Sequence, residues 1–129
     1  MQHISDTEFD QLISRAMYEL PQEYITGLDN VAIVYADEPD EHQRHKSGLK
    51  KNNILLGLYE GIPLTQRGAG YTFVLPDKIT LFKQALLMIS SSQEELFDNI
   101  TRTLWHEIAH YYGLDHDRID FLEACGRES

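Results

Sequence analysis

Between Ser92 and Gly113 the chain carries a helix whose two ends and one apolar face are all legible. Ser92, followed three residues later by Glu95, is a capping box, and Gly113 supplies the left-handed residue that closes a helix. Between them Leu96, Phe97, Ile100, Leu104, Ile108 and Tyr111 fall within about a third of the circumference at ~100° per residue. So broad an apolar stripe has to lie against a sheet or another helix. A chain of 129 residues has room for one such core, which predicts a single domain over residues 1–129.

Other segments supply the partners. Ser5 and Glu8 form a second capping box, with Ile4 and Phe9 placed as a hydrophobic staple. Phe9, Leu12, Ile13, Ala16, Met17 and Leu20 then recur at helical spacing, and Pro21 stops that helix. Val31 to Tyr35 is a β-branched run that predicts a buried strand, and Ile54 to Tyr59 predicts another. Tyr71 to Leu75 and Ile79 to Phe82 read as two further strands joined through Pro76-Asp77-Lys78. Phe82 to Ile89 fits either more strand or a helix. Residues 36–53 lose all apolar periodicity and predict a long polar loop, with His42 and His45 solvated in it. Asp117 to Cys125 fits a short last helix closed by Gly126.

Composition removes several classes of partner. The chain has 11 Lys and Arg against 21 Asp and Glu, a net charge of −10. That balance repels phosphate backbones and anionic lipid, so neither nucleic acid nor a membrane surface is the expected partner. No apolar run approaches the ~18 residues of a membrane span, and the N-terminal residues lack a basic segment followed by an apolar one. The single cysteine, Cys125, can form neither an internal disulfide nor a Cys-based zinc ribbon, and it reads as a helix-end packing residue. The expectation is a soluble cytoplasmic protein.

The chemistry sits at the end of the long helix. His106 and His110 are four residues apart and share a face, so their imidazoles can meet one ion. Glu107 lies one position round, able to reach a metal-bound water without being a ligand. Gly113 lets the chain turn back and present His116 as a third nitrogen. Three protein ligands leave the fourth tetrahedral position open, the arrangement of a catalytic zinc. Such a Zn²⁺ lowers the pKa of its water towards ~7 while a carboxylate takes the proton, giving metal-assisted hydrolysis of an acyl bond. A bare pair of histidines is often surface decoration; here the capped amphipathic helix, the Glu, the Gly and the third His occur together.

At these residues the chain resembles the zincins, and more closely the small bacterial zincin-like metallopeptidases. Three blocks carry the likeness: Leu55 to Leu64, Pro76 to Phe82, and His106 to Ile119. The resemblance implies a compact α+β fold, a small mixed sheet packed on the first helix and the metal-binding helix. It implies His106, His110 and His116 as zinc ligands, Glu107 as the general base, and a peptide or protein substrate; the expected state is a monomer. Members of that family often carry Asp where this chain has His116, so Asp115 and Asp117 stand as alternative ligands or as hydrogen-bond partners of the imidazole. The spacing also resembles the metzincins, but no methionine follows His116 to form their methionine turn.

Two other readings stay open. The bacterial zinc endoribonucleases of ribosomal RNA maturation have three histidines at the same offsets, with Gly where Glu107 stands, and their substrate favours a basic surface. A metal-binding or peptide-binding module without catalysis is the other, favoured by small size. For stabilising an oxyanion, Tyr59, Arg67, Tyr71 and Tyr111 are of suitable type. Tyr71 to Leu75 is the strand to which a peptide could add, by family analogy.

Overall fold

The computed structural model describes residues 3–48, 54–62 and 76–114. Helix α1, Asp6–Glu19, starts where Ser5 accepts the Glu8 amide at 3.1 Å, and the Ser5 hydroxyl donates to the Glu8 carboxylate at 3.0 Å. It buries Phe9, Leu12, Ile13 and Ala16. Pro21 ends it as expected but also opens a short helix, α2 (Gln22–Thr26), because a proline lacks only an N–H that a first turn leaves unbonded anyway. The Gln22 side-chain amide lies 2.8 to 3.0 Å from the carbonyls of Met17, Tyr18 and Leu20, which a helix end otherwise leaves to water.

Strand β1 (Val31–Ala36), helix α3 (Glu41–Ser47), strands β2 (Gly57–Glu60) and β3 (Asp77–Phe82), and helices α4 (Lys83–Met88) and α5 (Gln93–Tyr112) follow. The strands form a sheet in the order β1-β3-β2. β1 runs parallel to β3, with Val31 opposite Asp77 and Ala36 opposite Phe82; β2 runs antiparallel to it, with Gly57 opposite Leu81 and Glu60 opposite Lys78. The sheet is therefore mixed and the fold α+β, as the resemblance implied.

β3 is the central strand, and Ile79 and Leu81 point from it into the core shared with α1 and α5. β1, expected to be buried, is half-buried instead, and Val34 is 38% exposed. It forms an edge among the described residues, so its β-branched run reflects sheet packing rather than full enclosure. At Phe82 the strand stops and α4 begins directly with Lys83, which is buried and bonds the Asp6 carboxylate at 2.8 Å. That pair ties α4 to the start of α1. Among the described residues no helix is long and apolar enough to cross a membrane.

The polar stretch expected to be a loop contains α3. Asp40 accepts the Gln43 amide at 2.7 Å while the Gln43 side chain accepts the Asp40 amide at 3.0 Å, and Gly48 closes the helix at φ +73°. Caps rather than an apolar face define this helix, since Gln43 is its one buried residue. His42 and His45 are exposed, as expected, but on a helix. The Gln43 amide also donates to Glu60 at 3.1 Å, which pins α3 to the end of β2. The expected strand at 71–75 and the expected helix at 117–125 lie outside the described residues.

Candidate metal centre

Helix α5 is fixed at both ends. Ser92 accepts the Glu95 amide at 3.1 Å, and the Glu95 carboxylate takes the Ser91 hydroxyl at 2.9 Å. At the other end Gly113 adopts φ +73° and its N–H bonds His110. The Leu114 N–H bonds back to the Ala109 carbonyl at 3.0 Å, closing a Schellman turn that ends the helix just beyond His110. The helix is locked between by Leu96, Ile100, Leu104 and Ile108, all fully buried.

On this rigid element His106, Glu107 and His110 converge. Each offers a ligand atom, and these atoms lie within 4.8 Å of one another. The two imidazole centroids are 4.7 Å apart with their planes at 75°, so the rings meet edge to face rather than stack. Both histidines are half-buried, whereas Glu107 is only 7% exposed. His110 Nδ1 stands 3.1 Å from Glu107 Oε1. With the proton placed on Nδ1 by that hydrogen bond, Nε2 remains as the acceptor a metal takes. The bond to Glu107, helped by the carboxylate's charge and opposed by burial, raises the His110 pKa above its ordinary value.

Glu107 has a second partner that no side-chain pattern predicts. Its Oε1 accepts the backbone N–H of Tyr59, on β2, at 2.9 Å. β2 comes this close because position 57 is glycine: a Cβ there would stand 2.7 Å from Thr103 Cγ2, one helical turn before Glu107. A backbone donor is the same for every residue but proline, so the only trace in the sequence is a glycine inside a strand.

Two of the tyrosines suited to an oxyanion, Tyr59 and Tyr111, are otherwise engaged. The Tyr59 hydroxyl donates to Asp77 Oδ2 at 2.5 Å, and Asp77 is buried. The Tyr111 hydroxyl, fully buried, accepts the Asp29 amide at 3.0 Å, and its ring packs edge-on to Tyr59 at 6.2 Å. Both tyrosines brace the sheet against α5. His116, Asp115, Asp117, Arg67, Tyr71 and Cys125 lie outside the described residues.

Two imidazole nitrogens beside a carboxylate oxygen, all within 4.8 Å of one another, form a donor set suited to a borderline-soft divalent ion such as zinc. The residues fit the group.

The chain matches the family described as zincin-like metallopeptidases over residues 28–125. No protein among those with curated descriptions matches it. Among solved structures it is similar to a conserved hypothetical protein from Thermo thermophilus, at 21% identity and a TM-score of 0.54. The match covers 83% of this chain and 92% of that one, and shows a shared fold.

Proposed function

Because the chain belongs to the zincin-like metallopeptidase family, we propose that it is a zinc-dependent peptidase with His106 and His110 as metal ligands and Glu107 as general base. One observation carries the reading: a carboxylate nearly sealed from solvent is held beside the two imidazoles by a backbone N–H. Zinc, when bound, polarises the scissile carbonyl and lets water act as a nucleophile near neutral pH. Glu107 takes the proton from the attacking water and delivers it to the leaving amine. Among the described residues the hydrogen bonds from Tyr59 and His110 both fall on Oε1, and Oε2 is the oxygen assigned to that proton. His110 hydrogen-bonds Glu107 through Nδ1, which keeps Nε2 as the nitrogen for a metal.

The third ligand in this reading is His116, with Asp115 or Asp117 as substitutes. The partner is a peptide or protein met by a cytoplasmic monomer. A ribonuclease of the same spacing is disfavoured by Glu107 and by the net charge of −10.

Replacing Glu107 by Gln tests the role. Zinc content should stay near that of the unaltered protein while turnover of a peptide library disappears. Loss of zinc together with turnover would make Glu107 a ligand or a structural residue. Cleavage of single-stranded RNA that survives the substitution would favour the nuclease.

A further inference from the structure

We infer that Gly57 is a positioning residue: by letting β2 close on α5, it delivers the Tyr59 N–H to Glu107 and fixes the general base in its working orientation. The inference rests on the peptidase reading for its kinetic consequence, but the contact itself stands apart from any activity.

The direction of the Tyr59 N–H follows from the sheet. β2 and β3 are antiparallel, and the Phe82 amide bonds the Leu56 carbonyl at 2.9 Å. Ladder bonds alternate along such a pair, so Leu58 and Glu60 turn their amides to β3 while Gly57 and Tyr59 turn theirs away. The Tyr59 N–H is therefore no part of the β2–β3 ladder, and the 2.9 Å bond to Glu107 is its role. Removing that bond leaves the pairing of the strands intact.

The reach of the bond depends on Gly57. A Cβ at this position would meet Thr103 Cγ2 at 2.7 Å, Leu81 Cδ2 at 3.3 Å and the Thr80 carbonyl oxygen at 3.3 Å. Carbon atoms rest about 3.5–4.0 Å apart, so β2 would have to retreat from α5 by several tenths of an ångström or more. Tyr59 is two residues along the strand, and Glu107 is one turn along the helix from Thr103. A retreat of that size lengthens and bends the 2.9 Å hydrogen bond, which weakens steeply with both. Glu107 would keep His110 as partner while the hold of the donor anchored in the sheet loosens.

The test is Gly57→Ala, read in two ways. In the metal-free protein, the Tyr59 amide is followed by nitrogen-15 NMR and hydrogen exchange. In the unaltered chain Glu107→Ala should shift that resonance and speed its exchange, while the Leu58 and Glu60 amides stay protected. In Gly57→Ala the Tyr59 amide should already exchange fast, and Glu107→Ala should add nothing. In the zinc-loaded protein, Gly57→Ala should lower kcat by about 10²-fold with KM and zinc affinity nearly unchanged, the cost of misplacing a catalytic group by up to ~1 Å. Adding Thr103→Ser removes the methyl that the new Cβ strikes and should restore both readouts in large part.

A Tyr59 amide indifferent to Glu107→Ala in the otherwise unaltered chain would overturn the inference, even if Gly57→Ala failed to fold. So would a Gly57→Ala protein with normal kcat, or one whose defect Thr103→Ser leaves untouched. Absent peptide turnover with the amide responses as expected would count against the peptidase and leave the contact standing.

Discussion

His110 Nδ1 stands 3.1 Å from Glu107 Oε1, one turn back on the same helix, and this pair makes the site sensitive to pH. The bond raises the His110 pKa above the usual ~6.5. A proton on Nε2 occupies the nitrogen that a metal needs, so zinc affinity should begin to fall at a pH above ~6.5 as the solution is acidified. Glu107→Gln removes the charge and should move the onset to lower pH. Calorimetric zinc titrations from about pH 5.5 to 8 read both.

The same shift has the opposite sign for the metal-free fold. A histidine whose pKa is higher folded than unfolded contributes stability that is fully present below ~6.5 and is lost as pH rises through the folded value. Denaturant midpoints of the metal-free protein should therefore lose a small increment over that rise, and Glu107→Gln should abolish it. Zinc should reverse the trend by stabilising the protein most at the higher pH.

The third ligand can be separated from its neighbours by substitution. If His116 binds the metal, His116→Ala should weaken zinc binding by orders of magnitude. Asp115→Ala and Asp117→Ala should cost roughly 10–100-fold at most, as hydrogen-bond partners of a ligand do. His116→Asp should retain zinc, because carboxylate oxygen also binds it. Competition with a chromogenic chelator gives the affinities, and unchanged binding by His116→Ala would assign the role elsewhere.

Tyr59→Phe tests the bracing of β2 rather than the chemistry. It takes the hydroxyl donor from Asp77, which is 4% exposed, and leaves a buried carboxylate short of a partner. The loss should be about 1–3 kcal/mol of stability. The backbone N–H to Glu107 remains in this variant, so kcat at low temperature should change far less than in Gly57→Ala.

How much of this was legible beforehand depends on the kind of signal. α1 and α5 were readable because caps and a 3.6-residue period agree at Ser5, Ser92 and Gly113. α3 was not, because seven residues with one buried side chain carry no apolar period; its caps at Asp40, Gln43 and Gly48 were the available signal. At Pro21 the sequence signals the stop of α1, while the five residues of α2, none of them buried, carry no apolar period. The convergence of His106, Glu107 and His110 was legible because helical geometry converts spacing into direction. Tyr59 was considered for its hydroxyl, yet the structure uses its backbone amide at the site and spends the hydroxyl on Asp77. Such a contact depends on how closely two elements approach, which only Gly57 hints at.

Metal analysis of the chain purified without chelator or a polyhistidine tag decides whether His106 and His110 hold a zinc ion. Close to one zinc per chain is expected, with His106→Ala and His110→Ala each reducing it to a small fraction in folded protein. A content well below one zinc per chain, even after zinc is supplied at neutral pH, would contradict it.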